Sequence, residues 1–127
     1  MLRKIGFTLL TAVASFSTPT YSMMSHSLQQ GVTLEYELPS HEPQLFINYM
    51  FWTIDATCKI TSEDENVELF AEGLAKKGKI NDIILSSGQS LKLNVHSGES
   101  IKLSADSGAK VQITNLGNHL VRATCTT

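Results

Sequence analysis

The stretch "MMSHS" sets Met23, Met24 and His26 within four positions of one another. Thioether and imidazole ligands together suit copper. If the mature chain began at Met24, His26 would be its third residue, where an amine, two amides and an imidazole bind Cu(II) in a square plane. A blue-copper centre needs more, namely a Cys thiolate with two His. The two cysteines, Cys58 and Cys125, form no CxxC motif, and no His follows Cys125. The chain is therefore read as cofactor-free, with a small envelope copper-binding protein as a secondary reading.

Hydrolytic chemistry has weaker support. Of the four histidines, His26, His41, His96 and His119, none is spaced to argue a triad, and no GxSxG elbow is present. Asp106, Ser107, Gly108 and Ala109 resemble the Asp-Ser/Thr-Gly-Ala motif of aspartic proteases, which pair two such carboxylates around one proton. That resemblance spans four residues and implies a homodimer. Only 18 residues (127 minus 109) follow Ala109, too few for the flap and strands such a fold requires. Asp-Ser-Gly is also ordinary turn chemistry. The chain is read as a non-enzyme.

The N-terminus places these residues in a compartment. Arg3 and Lys4 precede an apolar run from Ile5 to Phe16 and then small polar residues to Ser22, the layout of a cleaved signal peptide over 1-22. That run is too short to span a bilayer as a helix. The expectation is a secreted or periplasmic protein, of bacterial type, with no membrane span. In an exported chain an isolated cysteine pair is read as a disulfide, here Cys58 with Cys125. Removing Arg3 and Lys4 leaves eight basic residues against twelve acidic, a net charge of -4. Such a chain is a poor partner for nucleic acid.

From residue 79 a ten-residue beat organises the chain: "KINDIILSSG", "QSLKLNVHSG", "ESIKLSADSG", then "AKVQITNLG". Each unit is an alternating apolar run closed by turn residues and a Gly, which reads as a strand and its connection. Gly78, Gly88, Gly98, Gly108 and Gly117 are expected to supply positive φ. Alternation directs Leu91, Leu93, Val95, Ile101, Leu103, Ala105, Val111, Ile113, Val121, Ala123 and Cys125 to a core. Upstream, Val32, Leu34, Tyr36 and Leu38 alternate, and one long strand runs from Gln44 through Ile60, with Phe46, Met50, Trp52, Ile54, Ala56, Cys58 and Ile60 on its core face. Residues 63-75 fit either helix or strand, with strand preferred because Gly73 weakens a helix interior. A β-solenoid would share a period but needs a repeated core residue. The fold class expected is all-β, a small antiparallel β-sandwich of seven or eight strands, immunoglobulin-like in broad architecture. Its single disulfide would cross between sheets.

The domain layout expected is a signal peptide, a flexible arm over 23-30 and the sandwich over 31-127. The long strand carries Leu45, Ile47, Tyr49 and Phe51 in the phase opposite its core face, a candidate apolar binding surface. Lys92, Lys102, Lys110 and Arg122 form a candidate cationic patch on the polar face. These point to an exported, non-enzymatic binding module for an unknown protein or glycan. The alternative is a structural subunit, a homo-oligomer pairing through the apolar strand.

Overall fold

A computed structural model describes residues 24–127. The expected signal peptide and Met23 lie outside the described residues. Eleven strands follow one another: β1 (Met24–Ser27), β2 (Thr33–Leu38), β3 (Gln44–Ile47), β4 (Ile54–Ser62), β5 (Asn66–Ala75), β6 (Lys77–Ile80), β7 (Ile83–Ser86), β8 (Ser90–His96), β9 (Ser100–Ala105), β10 (Lys110–Asn115) and β11 (Val121–Thr126). They form two sheets, one in the order β1-β3-β10-β5-β8 and one in the order β2-β11-β4-β9-β6-β7. Neighbouring strands run antiparallel except β1, which lies parallel to β3.

This connectivity differs from the immunoglobulin pattern. The chain goes out through β3, β4, β5 and β6 and returns through β7, β8, β9 and β10, each returning strand beside its outgoing counterpart. A long two-stranded ribbon rolled up in this way drops successive segments into opposite sheets, and the result is a jelly roll. β1 and β2 with β11 extend the two sheets at one side.

The ten-residue beat is the footprint of that rolling. Gln89 N–H donates to Ser86 C=O at 3.0 Å, Glu99 N–H to His96 C=O at 2.9 Å, and Ala109 N–H to Asp106 C=O at 2.9 Å. In each of these turns the third residue is a Gly at positive φ: Gly88 at 87°, Gly98 at 94° and Gly108 at 79°. These turns carry the chain between sheets rather than closing hairpins within one. Gly78 and Gly117 do not share the conformation. Gly78 lies inside β6, where a Cβ would stand 3.1 Å from the Ser104 carbonyl oxygen.

The core lies between the sheets. Leu38, Ile60, Val67, Leu69, Ile80, Leu85, Val95, Ile101 and Val121 are all 3 % exposed or less. Full burial of one such side chain is worth about 1.5–3 kcal/mol. Of the ambiguous residues 63-75, 63–65 form a loop and Asn66–Ala75 are strand β5, with Val67, Leu69 and Ala71 inward and Glu68, Phe70 and Glu72 half-buried on the outer face. At Gly73 the strand passes so close to Ser86 that an added Cβ would overlap its carbonyl oxygen. A residual void of about 70 Å³ remains between the sheets near Leu34, Tyr36, Phe46 and Leu69. It is about half the roughly 150 Å³ that accommodates benzene, so the interior is packing rather than a ligand chamber.

The Cys58–Cys125 disulfide is present, but within one sheet. Cys58 on β4 and Cys125 on β11 face each other directly in register, with Cα atoms 3.9 Å apart. Both side chains point into the core, as alternation predicts, yet the strands are neighbours. The expected single strand from Gln44 to Ile60 is also two strands. β3 stops at Ile47 and β4 starts at Ile54, because the ribbon changes sheets there.

Candidate binding site at one end of the sandwich

The sheet change between β3 and β4 is made by residues 48–53, "NYMFWT", which contain neither Gly nor Pro. Asn48 does the turning. Its side chain is fully buried; Oδ1 accepts from Met50 N–H at 2.9 Å, and Nδ2 donates to Trp52 C=O and Ala105 C=O, each at 2.9 Å. The Asn48 N–H donates to Ala109 C=O at 3.0 Å and its carbonyl accepts from Gly108 N–H at 2.9 Å. Ser107 Oγ donates to Met50 C=O at 2.6 Å, and Thr53 Oγ1 to Asp106 Oδ1 at 3.4 Å. The loop is thus bolted to the 106–109 turn by side-chain and backbone hydrogen bonds, which fixes its shape.

What this anchored loop presents to solvent is aromatic. Tyr49 is 65 % exposed, Phe51 93 % and Trp52 50 %. Side chains so exposed contribute almost nothing to the core, and three large apolar rings on one loop are the kind of surface that marks interaction sites. Tyr49, Met50 and Trp52 also wall an open groove against Ser27–Gln30 of the N-terminal arm.

Three lysines stand at this end of the sandwich. Lys110 opens β10 directly opposite Ile47 on one side and Ala75 on the other. The Lys76 side chain lies along Gly108, and Lys77 C=O accepts from Asp106 N–H at 3.0 Å. All three are exposed. The acids at this end are Asp106 in its turn and Asp55, the second residue of β4. At the opposite end the β2–β3, β4–β5 and β8–β9 connections carry Glu42, Glu63, Asp64, Glu65 and Glu99 and no Lys or Arg. There His119 sits 3.0 Å from both Asp64 carboxylate oxygens and 3.7 Å from Glu63. The hydrogen bond to Asp64, followed by the charges of Asp64 and Glu63, holds its pKa above the ordinary value.

The residues named from sequence are partly brought together. Tyr49 and Phe51 form the exposed loop, whereas Leu45 is half-buried and Ile47 buried on β3. The four cationic residues do not assemble, because the outer faces of the two sheets point in opposite directions. Lys92 lies on the outer face of the five-stranded sheet, 4.0 Å from Glu68. Lys102 and Arg122 lie on the six-stranded sheet, with Arg122 3.3 Å from Glu35 and 3.4 Å from Glu37. Only Lys110 reaches the aromatic end. Met24 and His26 share a face of β1; His26 Nε2 is 2.9 Å from Gln44 Oε1 and its ring stacks on Phe46. That ring also meets Tyr36 edge-on, and burial pushes the Tyr36 phenol upward in pKa.

Trp52, Lys76 and Lys77 belong to the site without having been singled out. Period-two phase with Ile54 would turn Trp52 inward, yet it is half exposed. The signal against that assignment is Asn48, whose side chain readily closes a turn on the backbone two residues on. Among the described residues no helix is long and apolar enough to cross a membrane, and no group of three or more His, Cys, Asp or Glu is placed to hold a metal. Compared with models of known protein families, with curated proteins and with solved structures, the chain matches none.

Proposed function

We propose that the chain is an exported, non-enzymatic binding module whose contact surface is the 48–53 loop. One observation carries this reading: Phe51 is 93 % exposed in a loop that buried hydrogen bonds hold in place. A rigid, solvent-facing aromatic group loses little conformational entropy on contact, which favours binding. The disulfide fits an exported protein. The test is a photo-crosslinking amino acid placed at Phe51 and, as control, at Asn94 on the outer face of β8, in the exporting cell. Adducts at 51 and none at 94 support the reading; absence of adducts at 51, or equal labelling at both, overturns it.

A second reading, assembly between copies, has its own observation. β3 is flanked by β1 and β10 and offers no free edge. β7 is an edge strand, and on it Ile83 and Ile84 are 48 % and 54 % exposed. Exposed apolar edges invite strand addition. Sedimentation that shows concentration-dependent association, abolished by Ile84→Lys, supports assembly; a monomer at high concentration excludes it.

A further inference from the structure

We propose that the aromatic loop docks the protein, end-on, to an anionic lipid bilayer, with Phe51 among the headgroups and Lys76, Lys77 and Lys110 on the phosphates. This rests on the reading that the 48–53 loop is the contact surface.

Three observations select a bilayer. First, the polar groups beside the aromatic residues are already engaged inward: the Asn48 side chain, the Met50 carbonyl and the Ser107 and Thr53 hydroxyls all bond within the protein. The polar groups of the turn itself are therefore spent on holding its shape, and the Phe51 ring they present is an apolar surface that hydrocarbon contacts without needing a donor or acceptor. Second, the three side chains suit an interface. Phe51 is wholly apolar, while Tyr49 and Trp52 have amphipathic rings of the kind that settle at headgroup level.

Third, the charge differs between the two ends of the sandwich. Counting strand ends with the loops, Lys76, Lys77 and Lys110 stand at the aromatic end with Asp55 and Asp106, whereas at the other end Glu42, Glu63, Asp64, Glu65 and Glu99 in the loops stand with Arg122 near the start of β11. A chain of net negative charge is repelled by an anionic surface unless it presents its basic end. The same distribution therefore attracts and orients the molecule, delivering Phe51 first. Lysines near such a surface each strengthen binding about fivefold, an effect confined to a Debye length. With three lysines and one aromatic loop, the attachment is reversible and salt-sensitive.

Trp52 is the single tryptophan, so its fluorescence reports on this loop without labelling. The experiment mixes the signal-free, disulfide-bonded protein with vesicles of phosphatidylcholine alone or with a third phosphatidylglycerol, and reads Trp52 emission and co-sedimentation. The expected result is a blue shift and sedimentation with the anionic vesicles, weak with the neutral ones, and released by salt. Phe51→Ser should weaken partitioning about tenfold, and Lys76→Gln or Lys110→Gln about fivefold each. Lys59→Gln, on the outer face of β4, should leave it unchanged. Melting curves of these surface variants confirm that each remains folded.

Equal binding to neutral and anionic vesicles, or a Lys59→Gln loss as large as that of Lys110→Gln, overturns the electrostatic docking. No response to either vesicle, with crosslinks at position 51 to a protein or glycan, overturns the bilayer and leaves the contact surface standing. No crosslink at 51 fails the contact surface itself.

Discussion

Asn48 and Asn115 stand at opposite ends of the sandwich and share three side-chain hydrogen bonds, to which Asn48 adds a longer one to Asp106 C=O at 3.2 Å. Each is fully buried at the end of a strand where the chain leaves the five-stranded sheet for the six-stranded one. Each accepts at Oδ1 from the N–H two residues on, Met50 at 2.9 Å and Gly117 at 2.8 Å. Each donates from Nδ2 to the carbonyl four residues on, Trp52 at 2.9 Å and His119 at 2.8 Å. A second Nδ2 bond crosses to the other sheet, to Ala105 from Asn48 and to Leu38 from Asn115, both at 2.9 Å.

Removing either side chain strands buried carbonyls and one N–H. Asn48→Ala and Asn115→Ala should each lower unfolding stability by about 1–3 kcal/mol, measured by urea denaturation. Only Asn48→Ala should also loosen the aromatic loop, seen as a change in Trp52 emission in the folded protein. An equal spectral change in both variants would show that Asn48 does not fix the loop.

Gly73 and Gly88 separate two reasons for glycine. Gly88 has φ of 87° and open space around it, so Gly88→Ala should cost about 1–2 kcal/mol from backbone strain alone. At Gly73 no positive φ is involved, but a methyl group meets the Ser86 carbonyl carbon at 2.9 Å and overlaps its oxygen. Gly73→Ala must push β7 away from β5 and should cost about 1–3 kcal/mol or more. Thermal unfolding of the two variants checks the order; a Gly73→Ala protein as stable as the parent would mean that β7 yields freely.

The disulfide joins positions 67 residues apart on neighbouring strands. Constraint of the unfolded chain by a loop of this size is worth about 4 kcal/mol on the chain-entropy model. Reduction, or the Cys58→Ala/Cys125→Ala pair, should lower the urea midpoint accordingly while native circular dichroism persists, because the β4–β11 ladder remains. Loss of native signal without denaturant would show that the bridge is required for folding.

His119 should make stability depend on pH in a defined sense. Its folded-state pKa is raised by Asp64 and Glu63. The ion pair therefore contributes in full below the unfolded value of about 6.5, and the contribution fades as pH rises through the folded value. NMR titration should place the His119 midpoint above that of an unfolded-state histidine, and Asp64→Asn should bring it back. An unchanged midpoint in Asp64→Asn would remove Asp64 as the cause.

Most of the strands were written in the sequence, because period-two alternation is a local consequence of the pleat. Leu93, Val95, Ile101 and Ile113 can be assigned a face from their neighbours alone. The Ser-Gly turns at 87–88, 97–98 and 107–108 were equally legible, since positive φ is a property of one residue. The presence of the Cys58–Cys125 pair also followed from the cysteine count and from the export that the N-terminal sequence leads one to expect.

Tertiary structure decided which sheet each strand joins. Alternation has the same form whether the next strand pairs alongside or crosses to the opposite layer, so the rolled ribbon and its jelly-roll order lie outside any local pattern. That placement put Cys58 beside Cys125 within one sheet, sent Lys92 and Lys102 to opposite outer faces, and gathered Lys76, Lys77 and Lys110 at one end. It also ended β3 at Asn48. Trp52, in phase with the core by sequence, stands half in water because the carbonyls that hold Asn48 come from residues 52 and 105, which only the folded chain brings together.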